Sequence, residues 1–143
     1  MSRRMYASAL AVAILAALAI GVAVSSASSS ADKTSLEIQK GNTSCTVPNG
    51  NRSLGVATFI LPAHSNSLQI TANVKHGTPS TTYTVTLLDA DTCTPIVTFG
   101  KQFNTNRKGK GKRNYTADVG SSRSFVIDVF DGSVDSYSEA AHF

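Results

Sequence analysis

The chain has 143 residues, 13 Lys and Arg against 9 Asp and Glu, a formal charge of +4, and two cysteines. This length allows one domain with a modest core after any leader is removed. It excludes a multidomain enzyme, and the small charge imbalance excludes a polyanion binder that is basic throughout.

The first element is a leader. Arg3 and Arg4 precede an apolar run over residues 9–24, which ends in the small polar stretch Ser-Ser-Ala-Ser-Ser-Ser-Ala. Basic residues, an apolar run and small residues at −3 and −1 predict a secretory signal peptide, cleaved after Ala27 or after Ala31. The competing reading is a retained membrane anchor, for which the run is slightly short. Ser2-Arg3-Arg4 with Tyr6 also carries a trace of a twin-arginine signal. Residues 1–31 are therefore assigned to the signal peptide and lead-in, and 32–143 to the mature domain. Without Arg3 and Arg4 the remaining 11 basic and 9 acidic residues leave the exported part near +2. Its predicted location is secreted or cell-surface.

Cys45 and Cys93 both fall in the exported part, and an even cysteine count in a small secreted chain predicts a disulfide. Free or metal-bound thiols are the alternative, although no further Cys lies nearby to complete a zinc site. In the chain-entropy account a loop of this length is stabilised by about 4 kcal/mol when closed.

The mature chain alternates with a period of two. Residues 35–39 place Leu36 and Ile38 on one face and predict a short edge strand. Pro48, Asn49 and Gly50 mark a turn. Residues 54–61 are nearly continuous in apolar side chains, as expected of a strand buried on both sides or packed under a loop. In residues 67–74, Leu68, Ile70, Ala72 and Val74 share a face; in 82–87, Tyr83, Val85 and Leu87 do. These two runs are expected to pair as a central hairpin across the break at Gly77, Pro79 and Ser80. Residues 96–103 predict another strand, with Val97, Phe99 and Phe103 on one face and a bulge at Gly100. A turn follows at 104–113, a strand at 114–119 and a turn at 120–122. Then come the apolar strand 125–130, a turn at Asp131-Gly132 and a closing edge at 136–143. About 7–8 short strands at this spacing predict an all-β fold, an antiparallel sandwich in preference to a small barrel.

Residues 77–85, Gly-Thr-Pro-Ser-Thr-Thr-Tyr-Thr-Val, resemble the Pro-x-Thr-x-Tyr turn-to-strand element of fibronectin type III and related immunoglobulin-like domains. That resemblance implies an immunoglobulin-like sandwich in which Tyr83 forms a corner, its hydroxyl bonding back to backbone a few residues upstream. From this turn and strand, through a Cys, to a Thr-Asn-x-x-Gly-x-Gly hairpin and a late apolar strand, the layout is similar to small secreted bacterial β-sandwich proteins of unassigned activity. It is also similar in outline to the apoproteins that carry enediyne antibiotics. The resemblance spans residues 54–129 and supports a fold.

Chemistry-bearing residues are few. Arg107, Lys108, Lys110, Lys112 and Arg113 place five cations in seven residues. They are either a polyanion-binding tip or a solubilising hairpin turn in which Gly109 and Gly111 supply positive φ. Asp89, Asp91 and Asp131 are the first candidates for a calcium site, but they match no loop of fixed ligand spacing. His64, His76 and His142 are scattered, and no nucleophile elbow, metalloprotease helix or phosphate loop is present. Asn42, Asn51 and Asn114 head glycosylation sequons, relevant only in a host with that machinery. No enzyme activity, cofactor or resident metal is expected. The expected role is a non-enzymatic interaction module for a protein or surface partner. A polyanion binder using residues 107–113 is the alternative, and a small-molecule carrier a further one.

Overall fold

The computed structural model describes residues 31–40, Cys45 and 52–143. The predicted signal peptide and the Pro48-Asn49-Gly50 turn lie outside these residues. Every regular element among them is a strand: β1 (Asp32–Lys40), β2 (Ser53–Leu61), β3 (Ser67–Val74), β4 (Thr82–Asp89), β5 (Pro95–Thr98), β6 (Phe103–Asn104), β7 (Gly111–Asp118), β8 (Ser124–Phe130), β9 (Ser136–Ser138) and β10 (Ala141–His142). No helix among the described residues is long and apolar enough to cross a membrane.

All pairings are antiparallel, and one hydrogen-bonded path runs β5-β4-β8-β9-β1-β2-β3-β7. β6 joins β4, and β10 joins β8. The sheet curls until its two ends approach each other, and Phe99 after β5 stacks on Tyr115 of β7 with ring centroids 4.4 Å apart. The result is a nearly closed, barrel-like shape around one core.

Period-two alternation explains which face of each strand is inside. Ala57, Phe59, Leu68, Ile70, Ala72, Val74, Tyr83, Val85, Leu87, Phe125, Ile127 and Val129 all belong to the core cluster. Phe59 and Phe125 are wholly buried, and burying side chains of this size stabilises by about 1.5–3 kcal/mol each. β8 is the most deeply placed strand, because Val126 on its other face is also buried.

Several expectations are corrected. β3 and β4 do not form a hairpin: β3 pairs with β2 and β7, and β4 with β5, β6 and β8. Residues 75–81 instead carry the chain from one side of the core to the other, a span too long and too specifically bonded for a tight hairpin turn. β2 is half-buried, because Val56, Thr58 and Ile60 face outward and are only partly covered. β1 is no edge strand; it lies between β2 and β9. The run 96–103 is broken at 99–102, and its two pieces, β5 and β6, both line one edge of β4. The irregularities in that region and in β1 fall at Leu87/Leu88 and Ile38/Gln39, not at Gly100. Lys112 and Arg113 belong to β7, which begins at Gly111, so the turn ends earlier than the sequence implies. The C-terminal stretch is split. β9 fills the interior of the sheet between β8 and β1, while β10 adds to β8.

Candidate functional site

Two crossing segments, 75–81 and 105–110, meet at one end of the molecule. Thr78 N–H donates to the Tyr83 hydroxyl at 3.0 Å, across five residues of chain. Gly77 N–H donates to Gly109 O at 3.0 Å and Ser80 N–H to Asn106 O at 3.1 Å. Thr105 sits between the segments, 4 % exposed. Its hydroxyl donates to Thr78 O at 2.6 Å and accepts from Thr81 N–H at 3.0 Å, and its own N–H donates to Thr81 O at 2.9 Å. Gly109 has φ +70°, and any Cβ there would run into Gly77 O, so glycine is required for both conformation and space. Ser80 is held at φ +50°, an uncommon region for a residue with a side chain. Tyr83 stacks on Phe103 beneath this joint, with centroids 5.5 Å apart.

The five basic residues are divided by this architecture. Arg107, Lys108 and Lys110 are exposed around the turn, whose shape is set by Asn106 Oδ1 accepting from Lys108 N–H at 2.8 Å and Lys110 N–H at 3.1 Å. Lys112 points outward from β7 and is exposed. Arg113 lies on the opposite face of β7, and its guanidinium donates across to Gln102 O at 3.0 Å. Gly109 has the expected positive φ; Gly111 does not, and instead fits closely against Asn104 O and the Phe103 ring.

Beyond Asn104 and Gly111, the strands leaving the turn diverge and open a seam between the two ends of the sheet. A cleft of about 410 Å³ lies there, lined by Phe99, Gly100, Lys101, Asn114, Tyr115 and Thr116. The hydrogen-bond phase of β7 follows from its neighbours. Lys75 N–H donates to Leu54 O and Val119 N–H to Asn66 O, both at 2.9 Å. Antiparallel alternation then turns the backbone of Arg113, Tyr115 and Ala117 toward β3, and that of Lys112, Asn114 and Thr116 toward the seam. On the other wall, Phe99 N–H donates to Val85 O at 2.9 Å, so the backbone of Thr98 faces away from β4 and into the seam. Phe99 and Tyr115 form its aromatic floor. The Tyr115 hydroxyl is buried without a hydrogen-bond partner, and burial pushes its pKa up while the nearby Arg113 charge pulls it down.

The remaining candidates do not assemble into a centre. Asp89, opposite Phe125, and Asp131, which follows Phe130, lie at opposite ends of the β4–β8 pair. Asp89 accepts from Ser122 Oγ at 2.7 Å, from Thr92 N–H and Oγ1 at 3.0 Å each, and from Asp91 N–H at 3.1 Å. The Ser122 bond first and the Thr92 bond next hold its pKa below the usual carboxylate value. Asp131 accepts from Ser133 N–H at 2.9 Å and Val134 N–H at 2.8 Å, closing the last turn. Asp91 is exposed. No group of three metal-ligating side chains occurs among the described residues. His142 Nδ1 contacts Ser124 Oγ at 3.0 Å as part of the β10–β8 pairing. Cys45 and Cys93 are paired, with Cα atoms 5.8 Å apart, and Cys93 lies in the β4–β5 turn.

Sequence reasoning missed Thr105, which reads as one more polar turn residue, and counted Asp128 only as one of the C-terminal acidic residues without foreseeing its burial. The Asp128 carboxyl is pushed up to about 7, first by burial and then by the Asp135 charge beside it. Tyr137, opposite Asp128 on β9, is raised by burial and by the same two carboxylates.

A second cleft of about 470 Å³ is lined by Arg52, Ser53, Leu54 and His76, a mixed lining that gives a carrier role no particular support. No protein-family model matches the chain, and no curated protein matches it in sequence.

Proposed function

We propose that this protein is an exported, non-enzymatic binding module that engages a protein partner through the seam between β5 and β7. The carrying observation is that both walls present backbone groups without strand partners among the described residues, above an aromatic floor. Export is part of the same reading: the leader pattern of residues 1–31 and the Cys45–Cys93 pair both suit an oxidising, extracytoplasmic setting. So is an immunoglobulin-like sandwich. β1-β2-β3-β7 would form one layer and β5-β4-β8 with β6 and β10 the other, linked through β9, with Tyr83 at the corner. Fold class alone names no partner, so the seam carries the reading.

A photo-reactive residue placed at Gly100 or Thr116 should give one common adduct with the exported partner, and the same residue at Lys33 should give none. Equal adducts from all three positions would contradict the assignment.

A second reading rests on the exposed Arg107, Lys108 and Lys110, which are held on a hydrogen-bonded turn. They would bind a polyanion through phosphate or sulfate neutralisation. Salt-dependent retention on heparin that is lost when Lys108 and Lys110 are changed to Gln supports it; unchanged retention removes it.

A further inference from the structure

We infer that the seam takes an extended, acidic segment of the partner, added as a strand along β7 with apolar side chains inward and carboxylates outward. This rests on the seam being the binding edge and specifies what enters it. Strand addition needs a row of free N–H and C=O groups, and β7 offers those of Asn114 and Thr116, which no described strand pairs on that side. Successive side chains of an entering strand alternate between faces. Every second one would meet Phe99 and Tyr115, which both face the core side of the seam.

The outward positions decide the charge. Lys112 on β7 and Lys101 on the opposite wall are both exposed beside the cleft, and Arg113 bonds across its closed end. The acidic residue on these walls is Asp118, at the far end of β7. The Tyr115 ring, 7 % exposed as a residue, lines the cleft, and its buried hydroxyl has no hydrogen-bond partner among the described residues.

A second copy fits less well. Phe99 and Tyr115 touch across the seam, so only a segment with both of its own edges free can enter. A second β7 would arrive with β3 bonded along one edge.

The test is residue-resolved amide NMR of the 32–143 domain, disulfide intact, titrated with three capped peptides and, separately, with a heparin tetrasaccharide. The peptides are an alternating Glu-Val hexapeptide, its Lys-Val counterpart, and the Glu-Val peptide N-methylated at every residue. The Glu-Val peptide should move the amides of Thr98, Asn114 and Thr116 and bind about tenfold more tightly than Lys-Val, as expected for two rim charges. N-methylation should abolish binding, a result that needs no protein variant. The double variant Lys101→Glu with Lys112→Glu, both at exposed positions, should reverse the preference. Equal affinity for Glu-Val and Lys-Val, with seam amides still moving, would overturn the acidic partner and leave the seam reading standing. No seam-amide shift with any peptide would overturn both. Seam shifts that grow with protein concentration before peptide is added would assign the edge to a second copy. Equal shifts with a heparin tetrasaccharide would assign it to a polyanion.

Discussion

The two ends of the seam that runs from the 105–110 turn between β7 and the β5–β6 edge are opposites. At the closed end, segments 75–81 and 105–110 exchange hydrogen bonds through Gly77, Ser80, Thr81 and Thr105, and Tyr83 fixes the corner. At the open end, Asn114 and Thr116 present backbone groups that no strand among the described residues meets, and Phe99 with Tyr115 fills the space only below them. Among the described residues one sheet edge stays open beside a turn held by several cross-segment hydrogen bonds. A rigid joint next to an unpaired edge holds that edge in a fixed geometry, which lowers the ordering cost of binding.

The largest expected effect comes from breaking the joint at Gly109. Gly109→Ala meets Gly77 O and an unfavourable φ together, and should destabilise by about 3 kcal/mol or more in denaturant unfolding. Thr105→Val keeps the shape and removes the hydroxyl that serves Thr78 and Thr81. Leaving those part-buried groups unpaired should cost about 2–3 kcal/mol. Tyr83→Phe deletes one bond, to Thr78 N–H, and should cost about 1–2 kcal/mol in the same assay.

Asp128 separates general stability from the joint, because it lies on β8 away from both ends of the gap. Its folded pKa of about 7 exceeds the unfolded carboxylate value, so the native state holds its proton more tightly. Its contribution is therefore complete below the ordinary carboxylate range and is lost as pH rises through that range toward about 7. The loss should be on the order of 1–2 kcal/mol after solvent screening. Asp128→Asn should flatten the pH profile of thermal unfolding over this interval and leave seam binding unchanged.

How much of this was legible in the sequence depended on range. Alternation in residues 67–74 and 82–87 identified which side chains are buried, because the pleat is local. It could not identify partners: Leu68 to Val74 present the same face to the core whether β4 or β7 lies beside them. The Pro-x-Thr-x-Tyr element marked Tyr83, a local device, whereas Thr105 owes its role to Thr78 and Thr81, more than twenty residues away. The basic run looked uniform because sequence adjacency hides face. Pleating sends Lys112 outward and Arg113 across the gap to Gln102. The seam had no sequence signal, since an unpaired edge is defined by what the rest of the fold leaves uncovered.

Amide hydrogen exchange resolved by residue tests the contrast most directly. The account predicts slow exchange at Gly77, Ser80, Thr81 and Thr105, and an alternation along β7 in which Arg113, Tyr115 and Ala117 are protected while Asn114 and Thr116 exchange rapidly. Protection of Asn114 and Thr116 equal to that of their neighbours in the free protein would mean that the edge is already paired, and would contradict the account.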